Sequence, residues 1–108
     1  MRGWKMNFQN KLINLLTICR KSGNLTLGFD MVKETIKNKK AKIILLSSDC
    51  SPKTIKEIKF AIGSENIEIV SLKETMDELK IFLGKRVGVM SICDKGFAEK
   101  ILTYSKEI

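Results

Sequence analysis

A chain of 108 residues suffices for one domain that buries roughly two-thirds of its unfolded surface, so neither disulfides nor a metal are needed to hold it together. Hydrophobic residues at 44% and charged residues at 30% give an ordinary globular balance, and no apolar run approaches the roughly 20 residues of a bilayer-spanning helix, which excludes a membrane segment. The formal net charge of +8 resides in residues 1–42, with ten Lys and Arg against Asp30 and Glu34, a lopsidedness that solubility does not need and a polyanion-binding face does.

The start, MRGWKMNF, has two positive charges but neither an apolar h-region nor a small-residue cleavage site, so a cytoplasmic protein is expected. Phe8, Leu12, Leu15, Leu16 and Cys19 recur at helical spacing and predict a helix over 7–21, stopped by Ser22-Gly23. Leu25-Thr26-Leu27 is a short extended piece. Gly28 then turns the chain into a second helix, with Asp30 near its start as a cap or first-turn acid, Val32 and Ile36 inward, and an end near Asn38. AKIILLSSD reads as a strand buried on both faces. Ser51 as N-cap and Pro52 at the first helical position open a helix whose inward stripe is Ile55, Ile58 and Ile62. NIEIVSL is the next strand. KETMDELKIFLG follows as a helix closed by Gly84, with Met76, Leu79, Phe82 and Leu83 inward. RVGVMSIC is a last strand, and DKGFAEKILTYSKEI a last helix through Phe97, Ile101 and Leu102.

This alternation argues for an α/β fold, a sheet between helix layers with right-handed crossovers. Ligands of open α/β sheets sit beyond the strands' carboxyl ends and at helix starts, which points to the loops around Gly28, 49–52 and 84–87.

Several chemistries are disfavoured by what the chain contains. Cys19, Cys50 and Cys93 are odd in number and far apart, with no CxxC and no histidine beside them, so they read as reduced, mostly buried thiols. Ser47, Ser48, Asp49, Cys50 and Ser51 gather at a strand end, where a thiol could have a lowered pKa; with no histidine as base, they serve equally as a polar loop and cap. Neither GxGxxG nor GxxxxGK[ST] is present, so no nucleotide cofactor is expected. Asp77 and Glu78 are helix neighbours that face different directions. One Trp, one Tyr and five mostly periodic Phe offer little stacking for single strands, whereas structured RNA asks for rigidly held lysines and a glycine that lets main chain approach.

The pattern R-K-x-G…G-x-[DE]-x-V (Arg20, Lys21, Gly23, Gly28, Asp30, Val32), the buried strand and acidic turn that follow, and the late G-K-R…D-x-G-F-A (Gly84, Lys85, Arg86, Asp94, Gly96, Phe97, Ala98) resemble the bacterial branch of the ribosomal protein L7Ae/L30e family of kink-turn RNA binders. The resemblance covers about nine-tenths of the chain. It implies one domain over 1–108, a three-layer α/β/α sandwich around a central mixed sheet of about four strands, with no catalysis, cofactor or metal. The implied partner of this expected monomer is structured RNA, ribosomal or kink-turn, or the ribosome itself. The implied RNA-binding residues are Arg20, Lys21, Gly28, Asp30, Met31, Lys33, Lys37, Lys85, Arg86 and Val87, the last three forming a second loop beside a flipped-out nucleotide. Asp30 and Met31 stand where the family's base-contacting Asn-Glu pair stands, Glu34 where a phosphate-facing lysine is usual, and Lys80 where glycine is usual. Asp lacks the amide donor and Met the polar head, so general RNA binding is better supported than kink-turn readout. The alternative is a protein-interaction adaptor on the same scaffold.

Overall fold

A computed structural model describes residues 8–106. Helix α1 (Phe8–Lys21) is followed by β1 (Leu25–Leu27), α2 (Phe29–Lys37), β2 (Ile43–Leu46), α3 (Pro52–Ile62), β3 (Glu68–Ser71), α4 (Met76–Leu83), β4 (Val89–Ile92) and α5 (Lys95–Lys106). The order is the one expected from the periodicities; the expected helix limits at 7 and at 107–108 lie outside the described residues. Among the described residues no helix is long and apolar enough to cross a membrane.

The four strands form one mixed sheet in the order β1-β4-β2-β3. β4 runs antiparallel to both β1 and β2, and β2 runs parallel to β3. The sheet is mixed, as the family resemblance implies, and of its connections only β2–α3–β3 is a crossover between parallel neighbours. Alternating strand and helix signals do not specify strand direction; β4 returns antiparallel and inserts between β1 and β2. The ladders are also shorter than the apolar runs that announce them. Ser47 to Asp49 leave the sheet at the end of β2, where the Ser48 amide donates to the Glu74 carbonyl at 2.8 Å.

β2 and β4 are buried along their whole length, as strands with helices on both faces must be. Side chains alternate across the sheet, so Ile43 and Leu45 enter the core under α1, α4 and α5, while Ile44 and Leu46 enter the core under α2 and α3. The first core holds sixteen buried residues and the second eight, among the described residues. Phe82, expected inward, is 47% exposed. α4 has only eight residues and meets the core through Leu79 and Leu83, which leaves Phe82 on its flank.

The caps follow the sequence closely. The Ser51 hydroxyl accepts the Thr54 amide at 3.2 Å, Pro52 opens α3, and Gly84 closes α4 with a left-handed φ of 79°. Thr75 and Glu78 form a reciprocal capping box at the start of α4. A hydroxyl relay fixes α2 on the sheet. Thr35 donates to the Val32 carbonyl at 2.7 Å, so its single proton is used, and the fully buried Ser91 donates to Thr35 across 2.9 Å.

Candidate functional site

β1, β2 and β3 all finish at the end of the sheet where β4 begins, so the three loops singled out in the sequence meet there. Main-chain bonds lock them together. The Gly28 amide donates to Val89 at 3.0 Å and the Ser47 amide to Gly88 at 3.0 Å. Across the gap, the Met76 amide donates to an Asp49 carboxylate oxygen at 3.0 Å, so a side chain from the loop before α3 caps α4. The loops enclose an open cleft of about 260 Å³ lined by Gly28 and Phe29, by Cys50, Ser51 and Thr54, by Met76, and by Lys85 to Val89.

Gly28 stands at the mouth of α2 with φ 98° and ψ 150°, a conformation essentially confined to glycine. A Cβ built there would meet none of the described residues within 4 Å, so among them the space in front of the main chain is open. Gly28 is also the N-cap of α2 and has no side chain to receive the first amides, which leaves the positive end of the helix uncovered. Beyond it Asp30, Met31, Lys33, Glu34 and Lys37 are all exposed, Met31 by 59%. Lys33 folds back over the neighbouring aromatic, its Nζ 5.0 Å from the Phe29 ring centroid.

The opposite wall is the 84–88 loop. Its fold rests on two glycines: Gly84 turns left-handed, and a Cβ on Gly88 would come within 3.2 Å of the Met76 sulfur. Lys85 is exposed. Arg86 is held by Asp77, Nε to Oδ1 at 2.8 Å, and its Nη1 lies 3.6 Å from the Met76 sulfur. Val87 lines the cleft while only 3% exposed, because its side chain belongs to the larger core. Arg20, though on α1, reaches this wall: a Cβ on Gly84 would lie 3.8 Å from its Nη1.

The structure thus brings Gly28, Lys85, Arg86 and Val87 into one cleft, places Asp30, Met31, Lys33 and Lys37 on the helix leaving it, and sets Arg20 behind the second loop. Lys21 ends α1 outside the cleft lining. Sequence reasoning missed Met76, assigned to the core but half-buried under the cleft, and Gly88, whose position in the RVGVM run was the available signal of a close approach.

Electrostatics argue against a reactive thiol here. Cys50 is raised above the ordinary thiol value, first by desolvation and then by the charge of Asp49, which removes the possibility of a lowered pKa and agrees with the reading of this segment as a polar loop and cap. Cys19, fully buried, is pushed up to about 11, chiefly by desolvation and further by Asp94 and Cys93. Asp49 moves the other way. Desolvation works against its carboxylate but is outweighed by hydrogen bonds, foremost that from the Met76 amide, and by the charge of Arg86, so its pKa falls below the usual aspartate value.

Comparison with known proteins agrees with this layout. A model of the ribosomal protein L7Ae/L30e/S12e/Gadd45 family matches residues 10–102. The large ribosomal subunit protein eL30 of Oryza sativa subsp. japonica is 31% identical over 96 residues, covering 87% of this chain and 86% of the relative. RNA-binding protein YlxQ of Enterococcus faecium is 30% identical over 92 residues, covering 85% and 88% respectively. A solved structure of a Bacillus halodurans C protein with unknown function has a TM-score of 0.81 at 25% identity, over 89% of this chain and 97% of that one. The Giardia lamblia 15.5kD RNA binding protein has a TM-score of 0.74 at 13% identity, over 96% of this chain and 89% of that one, and shares the fold. A family match that runs from α1 into α5, on a four-stranded mixed sheet sandwiched between helices, establishes that the chain belongs to the ribosomal protein L7Ae/L30e/S12e/Gadd45 family.

Proposed function

We propose that the chain is a non-catalytic, ribosomal-protein-like RNA-binding protein that grips structured RNA, ribosomal or kink-turn, in the cleft between the start of α2 and the 84–88 loop. The observation that carries this reading is the convergence of an open glycine main chain, an uncovered helix start and the cations Lys85 and Arg86 on one cleft. A phosphate backbone is recognised by that combination of amides and lysines, with glycine admitting close approach. Relatives named for the ribosome and for RNA binding support it. The chain acts as one domain, as a monomer, in the cytoplasm. Gly28 is the close-approach residue, Lys33, Lys37, Lys85, Arg86 and Arg20 neutralise phosphates, and the 84–88 loop, its fold anchored in the core by Val87, packs beside an unstacked base.

Fluorescence anisotropy with a kink-turn RNA and a matched duplex lacking the G·A pairs, at low and physiological salt, tests it. Binding of structured RNA that persists at the higher salt is the expected result, and a preference for the kink-turn within it would add readout of shape. Replacing Lys33 and Lys37 by Ala weakens binding and flattens the salt dependence by about 0.9 log unit for each duplex phosphate that is no longer neutralised. Equal binding of both RNAs that vanishes with salt sinks the reading. The adaptor reading would then gain from Met31, whose exposed thioether stands in the first turn of α2 as an apolar contact for a protein partner.

A further inference from the structure

We propose a second RNA contact on the α2–α3 face, where the ring of Phe60 stacks an unpaired base that leaves the cleft. This rests on the RNA reading of the cleft. Phe60 is 89% exposed, the most exposed large apolar side chain among the described residues. It borders a groove of about 430 Å³ whose other walls are Lys33 of α2 and Lys56, Glu57 and Ala61 of α3. Lys53, Lys56 and Phe60 recur at i, i+3 and i+7 and so share one side of α3, which puts cations beside the ring.

The groove lies beside the cleft, linked to it through Lys33 and Phe29. Phe29 lines the cleft, Lys33 lies over the Phe29 ring at 5.0 Å, and Lys33 also lines the groove. A strand leaving the cleft past Phe29 therefore meets Lys33 first and Phe60 next. A flat exposed ring flanked by lysines has the composition of a single-strand contact, base on aromatic and phosphate on ammonium. A docked amphipathic helix would ask for apolar anchors at successive turns, and the groove offers Phe60 and Ala61 alone.

The test compares blunt kink-turn duplex with the same duplex bearing an unpaired tail at either end, titrated against the full chain, Phe60→Ala and Phe60→Tyr. Because the ring is exposed, these variants leave the core untouched. A tail is expected to tighten binding to the unsubstituted chain about tenfold, Phe60→Ala to abolish that gain, and Phe60→Tyr to keep it. Binding of the blunt duplex is expected to be indifferent to both substitutions. Equal affinity for tailed and blunt RNA, or a tail effect that survives Phe60→Ala, overturns the groove while the cleft reading stands. Failure to bind either RNA overturns both and leaves Phe60 to a protein partner.

Discussion

The two helix layers do different work. Under α1, α4 and α5 the sheet buries sixteen side chains, and under α2 and α3 it buries eight. The richer layer supplies most of the area removed from water, at roughly 25 cal/mol per Å² of apolar surface. The thinner layer supplies the glycine mouth of α2, the lysines beyond it and the exposed Phe60. Stability is thus concentrated on one face of the sheet, and although that face also lends Arg20 and the 84–88 loop to the cleft, a chain can change its exposed binding side chains on α2 and α3 without disturbing the larger core.

Adjacent residues of β2 offer the sharpest way to break this comparison, because Leu45 and Leu46 point into different cores. Leu45→Ala should cost about 4 kcal/mol and Leu46→Ala about 3 kcal/mol, since a cavity under three helices collapses less readily than one under two. Urea unfolding of both variants checks this, and equal or reversed losses would dissolve the distinction between the layers. Gly28→Ala comes next, at about 1–3 kcal/mol, all of it from the backbone because the new methyl meets no neighbour among the described residues. A variant as stable as the parent would show that the α2 mouth is free to rearrange.

The smallest effect concerns the bond between the layers, in which Asp49, from the loop before α3, caps α4 of the opposite layer. A carboxylate whose folded pKa is lowered contributes stability above its unfolded pKa and loses that contribution as pH falls through the folded value. Asp49→Asn should therefore be less stable than the parent at neutral pH, and the gap should close in acid below the ordinary aspartate range. A gap that stays constant with pH would assign the loss to geometry instead of charge. Denaturation midpoints across the acid limb decide it.

Much of this is legible in the sequence because local rules and tertiary demands coincide. The IILL run could hardly be anything but a central strand, and Ser51-Pro52 and Gly84 punctuate their helices as capping chemistry requires. The three loops of the cleft are legible from the strand-end rule, although strand direction is not. Nothing in RVGVMSIC states that it will run antiparallel between β1 and β2; that follows from how α4 returns the chain. Phe82 misleads because a period of about 3.6 residues defines a stripe but not its width, and a short helix at the flank buries a narrow one. Phe60 is silent in the sequence for the converse reason. Its neighbours Ile58 and Ile62 satisfy the inward stripe, and exposure of the residue between them is visible only once α2 and α3 are packed.

The central position of β4 has a consequence in time. The chain makes β1 and β2 early, yet neither pairs with the other; β2 meets β3 once residues 68–71 follow, while β1 has no strand neighbour until residues 89–92. At a synthesis rate of about 5–20 residues per second, the stretch from the end of β2 to the start of β4 takes about 2–9 seconds, during which the nascent apolar runs LTL and IILL lack their final partner. Closure of the sheet is accordingly a late event, set by long-range contacts and completed when the last strand slides between two that preceded it. A nascent chain arrested before Val89 would remain a client of whatever holds unpaired strands apart.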